Sequence, residues 1–87
     1  FLLDEKGTEY NSLKFSHFIQ KKINSGINNL TFIIGDHSGF SKLITDNFQN
    51  KISLSKLTFS HQMVRLFFCE QLYRAFTIIN NHPYHNN

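Results

Sequence analysis

Eighty-seven residues with nine Lys and Arg against six Asp and Glu, five His, one Cys and no Trp carry a formal charge of +3 and amount to one small domain at most. A chain this short buries only about 60% of its unfolded surface, and a lone cysteine excludes both an internal disulfide and a Cys-rich zinc site, which favours a reducing compartment. The mild positive charge is compatible with a polyanionic partner without naming one, since Lys14, Lys21, Lys22, Lys42, Lys51 and Lys56 are scattered rather than gathered into a basic tail.

Phe1-Leu2-Leu3 followed by Asp4-Glu5-Lys6-Gly7 reads as the end of a buried strand running into a turn. That apolar start, in a chain whose only methionine is Met63, suggests a piece of a longer protein cut inside the strand. From the N-cap candidates Asn11 and Ser12, the residues Phe15, Phe18, Ile19 and Ile23 recur at helical spacing until Gly26, which predicts a helix of about 12–13 residues. Leu30 to Ile34 is β-branched and aromatic and predicts a strand, central and buried, ending at Gly35. After Gly35-Asp36-His37-Ser38-Gly39, Ser41 to Phe48 predicts a weak short helix with Leu43, Ile44 and Phe48 on one side. Lys51 to Ser55 alternates like a short strand.

The clearest helix is predicted from His61 to about Asn80. Val64, Phe67, Phe68, Leu72, Ala75, Phe76, Ile78 and Ile79 fill one half of it, with Gln62, Arg65, Glu70, Tyr73, Arg74 and Thr77 on the other. Glu70 precedes Arg74 by four residues, the favourable order for a helix ion pair. Cys69 reads as a core or boundary thiol, and Pro83 with the polar tail from His82 to Asn87 ends the helix. No apolar run, Leu66-Phe67-Phe68 included, approaches the ~18 residues of a membrane span.

The order β-α-β-α-β-α predicts an α/β fold over residues 1–87 as a single domain, an open and mostly parallel sheet with right-handed crossovers. Three strands are too few to bury a helix half so broad, so more sheet or a second subunit is required. In such sheets ligands bind beyond the carboxyl ends of the strands, which here are Leu3-Asp4, Gly35 to Gly39, and Leu54 to Phe59. Taken singly these segments are weak signals. Gly35-x-x-x-Gly39 has neither dinucleotide nor phosphate-loop spacing, and Ser53, Ser55 and Thr58 are ordinary helix-approach residues. No Ser-His-Asp order is legible, and His82 with His85 lacks a third metal ligand.

Taken together, Leu3-Asp4, Phe32-Ile33-Ile34-Gly35 with Gly39, the run from Ser53 to His61, Val64-Arg65, Glu70-Gln71-Leu72-Tyr73-Arg74-Ala75 and Asn81-His82-Pro83-Tyr84-His85 resemble the RlmH family. These are small SPOUT-type methyltransferases acting on a pseudouridine of large-subunit ribosomal RNA. The resemblance runs in register over the whole chain, and its last two motifs together are specific. It implies a C-terminal trefoil knot, a known exception to the rule against knots, with the N-terminal strands of the usual domain, roughly its first 70 residues, absent from this chain.

It also implies S-adenosylmethionine (SAM) bound in the knot, a homodimer, large-subunit rRNA in the ribosome as partner, no metal and no membrane. The bacterial cytoplasm, or an organelle with bacterial-type ribosomes, is the implied location. Carried over by position, Leu3, Gly35, Leu54, Ser55, Lys56, Leu57, Thr58 and Phe59 would contact the cofactor. His61, Arg74, Tyr84 and His85 would be the catalytic residues, with the tail reaching the partner subunit's cofactor. The implied chemistry is an SN2 methyl transfer to a deprotonated imide nitrogen, N3 of pseudouridine. Three positions depart from the family pattern: Gly35 is followed by Asp36 rather than a second Gly, Ser60 stands where Pro is usual, and Asn86 where Arg is usual. A catalytically degenerate RNA-binding relative and a SPOUT enzyme with another RNA target are the alternatives.

Overall fold

The computed structural model describes residues 1–35, 40–47 and 49–85. Six elements alternate: strand β1 (Leu2–Glu9), helix α1 (Ser12–Asn24), strand β2 (Ile33–Ile34), helix α2 (Lys42–Asn47), strand β3 (Lys51–Ser53) and helix α3 (His61–Ile79). The three strands form one parallel sheet in the order β2-β1-β3. This is the α/β arrangement expected from the alternation, with the central position assigned differently.

The strand expected to be central and buried, β2, lies at the edge and is only two residues long, with Ile33 41% exposed. The centre belongs to β1, whose Leu2 and Leu3 are 1% and 8% exposed because each has a strand on both sides. Leu30 and Phe32 turn instead into the core, while the Phe1 amino group donates to Thr31 O at 3.0 Å and Ile33 N to Phe1 O at 2.9 Å. β3 stops at Ser53 rather than Ser55. There the Ser53 hydroxyl donates to Ser55 O at 3.0 Å and Leu57 N–H to Ser55 Oγ at 3.0 Å, so local side-chain bonds bend the chain out of the ladder.

β1 does not end at the expected turn. Leu3 pairs with Ile52, residues 4–7 leave the ladder, and Thr8 pairs with the same Ile52 before Glu9 meets Ser53. Asp4 to Gly7 is therefore a loop within the strand, returning the chain to the edge it left.

Asn11 caps α1 by accepting from Lys14 N–H at 2.8 Å, and Lys21 and Lys22 sit favourably in its last turn. Gly26, at φ +84°, takes the left-handed conformation just past its end. The core joins Leu3 and Ile52 of the sheet to Phe15 and Ile19 of α1 and Phe68 and Ala75 of α3. Phe68 meets Phe32 at 4.7 Å and Phe15 at 5.9 Å between ring centroids, each such burial contributing about 1.5–3 kcal/mol.

The broad apolar half expected for α3 is only partly used. Phe68 and Ala75 are buried, but Phe76 is 44% exposed, since α3 lies against α1 and β2 and no other element among the described residues covers the rest. Thr77, expected on the polar half, is buried, its hydroxyl donating to Arg74 O at 2.6 Å. Cys69, expected at the core or its boundary, is exposed. The apolar side expected for α2 includes Phe48, which lies outside the described residues. Among the described residues, no helix is long and apolar enough to cross a membrane.

Candidate functional site

Because the strands run parallel, their carboxyl ends share one side of the sheet, and a cavity of about 350 Å³ opens there. Leu3, Gly35, Leu54, Ser55, Leu57, Thr58 and Phe59 line it, so seven of the eight cofactor candidates converge. Lys56 does not line it. Its ammonium instead donates to Glu5 O at 3.1 Å and lies 3.7 Å from a Glu9 carboxylate oxygen. The loop from Leu54 to Phe59 is shaped by the Ser53 and Ser55 hydroxyls and tethered to the β1 loop, with Thr58 Oγ1 donating to Glu5 Oε2 at 2.9 Å. It ends where Ser60 caps α3, accepting from Met63 N–H at 3.3 Å. The residue standing where the family has Pro thus has a structural task, and the helix cap is Ser60 rather than His61.

Asp4, named with Leu3 as a strand end, also lines the cavity, as do Glu5, Ile34, Phe40 and Val64, which sequence reasoning did not name as site residues. Glu5 directly follows Asp4, so the strand-end rule could have included it. Val64 was assigned to the core by its helical spacing, yet the first turn of α3 projects it to the cavity wall. His61 lines the cavity as well. Two buried polar atoms in this wall have no partner among the described residues, Asp4 Oδ2 and His61 Nδ1. Unpartnered buried polar groups are uncommon, because each forgoes its hydration without return.

A second hollow of about 470 Å³ shares Leu3, Leu54, Ser55 and Phe59 with the first and extends between α1 and α3 to Glu70 and Gln71.

The tail residues form a separate cluster. After α3, Asn81 at φ +57° reverses the chain, with His82 N–H donating to Thr77 O at 2.7 Å and Asn81 N–H to Ile78 O at 3.1 Å, a Schellman termination. Glu70 is the hub. Its Oε2 accepts from Arg74 Nε at 3.1 Å, pairs with Arg74 Nη2 at 2.9 Å, and accepts from the Tyr84 hydroxyl at 3.0 Å. Its Oε1 accepts from Gln71 Nε2 at 3.0 Å, and Gln71 Oε1 accepts from the Ser12 hydroxyl at 2.9 Å, which ties the hub to α1. Arg74 Nη1 lies 2.9 Å from His85 Nδ1, the guanidinium is 5.1 Å from the Tyr84 ring centre, and Tyr84 stands edge-on to Tyr73 at 4.8 Å.

The Arg74 hydrogen bond, opposed by desolvation and reinforced by Tyr84, lowers the Glu70 pKa below the ordinary carboxylate value. The Tyr84 pKa is raised, first by its hydrogen bond to Glu70. The contribution of Glu70 to tail docking is therefore complete above the normal carboxylate range and lost as pH falls through its lowered pKa. That of Tyr84 is complete below the normal tyrosine pKa and lost as pH rises through its raised one. Docking should hold across neutral pH and fail at both extremes. Tyrosine fluorescence should show both transitions in the parent, while the alkaline one should be reduced in Tyr84→Phe, the chain's other two tyrosines remaining.

Within one chain the two clusters are apart. His61 and Arg74 lie thirteen residues from each other on α3, roughly 20 Å along its axis. The structure thus brings His61 to the cavity and groups Arg74, Tyr84 and His85 elsewhere. Asp36, Gly39 and Asn86 lie outside the described residues. Among the described residues, no group of three or more His, Cys, Asp or Glu could hold a metal ion.

A family model described as "Predicted SPOUT methyltransferase" matches residues 1–85. The protein named ribosomal RNA large subunit methyltransferase H from Christiangramia forsetii is 59% identical over 85 residues, 98% of this chain and 54% of that protein. The protein of the same name from Flavobacterium johnsoniae is 59% identical over the same shares. That from Cytophaga hutchinsonii is 58% identical, over 98% of this chain and 55% of its own length. The chain spans about half the length of the curated relatives it matches.

Proposed function

This chain belongs to the SPOUT methyltransferase family, and from that premise we propose that the protein methylates N3 of a pseudouridine in large-subunit rRNA, using SAM. The observation that carries this reading is the convergence of seven cofactor candidates from three distant segments on one cavity at the strand ends. The residues present suit the cofactor. Leu3, Ile34, Leu54 and Phe59 offer apolar surface to a base, the bent loop from Leu54 to Phe59 offers backbone groups to its edge, and the Asp4 carboxylate is available to a cation.

SAM, when bound, supplies an electrophilic methyl group on a sulfonium. The chain's task is to exclude water, hold N3 in line and stabilise the negative charge that develops when its proton leaves. Arg74, fixed by Glu70, is the cation for that charge, and Tyr84 and His85 position the uracil ring beside it. Since these residues lie roughly 20 Å from His61 along α3, we place them at the cavity of a second subunit. The exposed side chains Met63, Leu66 and Phe76 give α3 apolar surface for that homodimer. A knotted C-terminal portion completes the proposal, resting on family membership.

The test is calorimetric titration of the full-length protein with SAM, followed by mass mapping of rRNA from ribosomes incubated with both. Binding and one added methyl on the pseudouridine are expected, and absence of SAM binding would overturn the reading. SAM binding with methyl transfer to a different nucleotide would retain the enzyme class and change the target.

A further inference from the structure

We infer that Asp4 reads the positive charge of the sulfonium and so makes the cavity favour SAM over its neutral-thioether product, S-adenosylhomocysteine (SAH). The inference rests on the SAM reading above and adds a device for product release to it.

Asp4 follows Leu3 where β1 leaves its first pairing with β3, and it lines the cavity. Oδ2 is shut away from water with no partner, and Oδ1 has only a 3.5 Å contact from Lys6 N–H, at the limit of a hydrogen bond. The other charged groups nearby are engaged. Glu5 receives the Thr58 hydroxyl, and Lys56 is held by Glu5 O and Glu9. Asp4 pairs with no cation among the described residues.

Much of the surrounding wall is hydrocarbon, from Leu3, Ile34, Phe40, Leu57 and Val64. A half-buried carboxylate with one oxygen shut away from water loses part of its hydration and gains little from the fold, a local cost to stability that an entering cation offsets. The hydrocarbon part of the wall also screens its field less than bulk water would. SAM and SAH share adenosine, the amino acid group and nearly all their shape, and differ in the methyl and the sulfonium charge. After transfer the charge is gone, so a cavity that holds the cation through Asp4 loosens its grip on what remains.

This assignment makes two measurements move in opposite directions. In the full-length protein, Asp4→Asn keeps the side-chain shape and removes the charge. Its SAM-over-SAH affinity ratio, by calorimetry, should fall about tenfold or more, chiefly through weaker SAM binding. Its ligand-free melting temperature should equal or exceed that of the parent, because a half-buried carboxylate with one unpartnered buried oxygen has been removed. Asp4→Glu, keeping the charge, should keep most of the preference, and serves alone if the Asn variant does not fold. An unchanged ratio in Asp4→Asn, or lost preference in a well-folded Asp4→Glu, would overturn the inference while leaving the SAM reading intact. A parent protein that binds neither ligand would overturn both.

Discussion

Gly7→Ala should destabilise the protein by about 3 kcal/mol or more. A Cβ built on Gly7 would lie 2.6 Å from Lys51 C, 2.7 Å from Ile52 N and 2.8 Å from Ile52 C. All three are backbone atoms of β3, so no rotamer change relieves the contact. Either β3 shifts, breaking the pairing of Ile52 with Leu3 and Thr8, or the β1 loop swings out. Asp4 and Glu5 belong to that loop, so the damage reaches the cavity and SAM binding should weaken along with stability. Gly26→Ala is the control. Nothing lies within 4 Å of its Cβ, and the cost there is the left-handed φ of +84°, about 1–2 kcal/mol. Urea unfolding of the full-length protein checks the pair. A Gly7→Ala variant less than 1 kcal/mol below the parent would show that the close approach to β3 is not maintained in solution.

Much of this arrangement is legible in the residues themselves. The Asn11 cap, the Phe15-Phe18-Ile19 spacing and Gly26 bound α1 within a residue or two, because capping chemistry and helical period are local. Ser60 as the cap of α3 and Asn81 as its left-handed stop are local too but were not read from the sequence, where Pro83 and the polar tail stood for the end of that helix. Strand order is not local. The β-branched run Leu30–Ile34 has the composition of a central strand, yet the centre goes to β1 because both other strands pair with it. The return of β1 to Ile52 is invisible for the same reason, since only the partner's backbone makes Gly7 necessary.

The cavity was legible through topology, as parallel strand ends converge whatever their side chains, and Asp4 was placed there with Leu3, but the lack of a partner that distinguishes it was not legible. Thr77 misleads the pattern because a hydroxyl that donates to Arg74 O can be buried at little cost. The exposed apolar side of α3 is the converse: its hydrophobicity is plain in the sequence, but no element among the described residues covers it.

Glu70→Ala should lower methyl transfer by about 100-fold while leaving SAM affinity within about twofold of the parent. Glu70 is a positioning residue, acting through Arg74 and Tyr84. Its carboxylate takes two guanidinium contacts and the Tyr84 hydroxyl, and through Gln71 and Ser12 it is anchored to α1. Without it, Arg74 keeps its charge but loses the bonds that fix its plane, and Tyr84 loses the carboxylate to which its hydroxyl donates, so the tail no longer presents His85 in one place. A displacement of an ångström in a group that stabilises developing charge is enough for an effect of this size. SAM affinity should be spared because the lining of the 350 Å³ cavity does not include Glu70. Glu70→Gln should fall between parent and Ala, since its amide oxygen can still accept from Tyr84 or Arg74 but offers no ion pair. Single-turnover methylation of ribosomes beside SAM calorimetry separates the outcomes. If transfer and SAM affinity fell together in Glu70→Ala, the residue would be holding the fold rather than the tail, and unchanged transfer would remove the tail cluster from the mechanism.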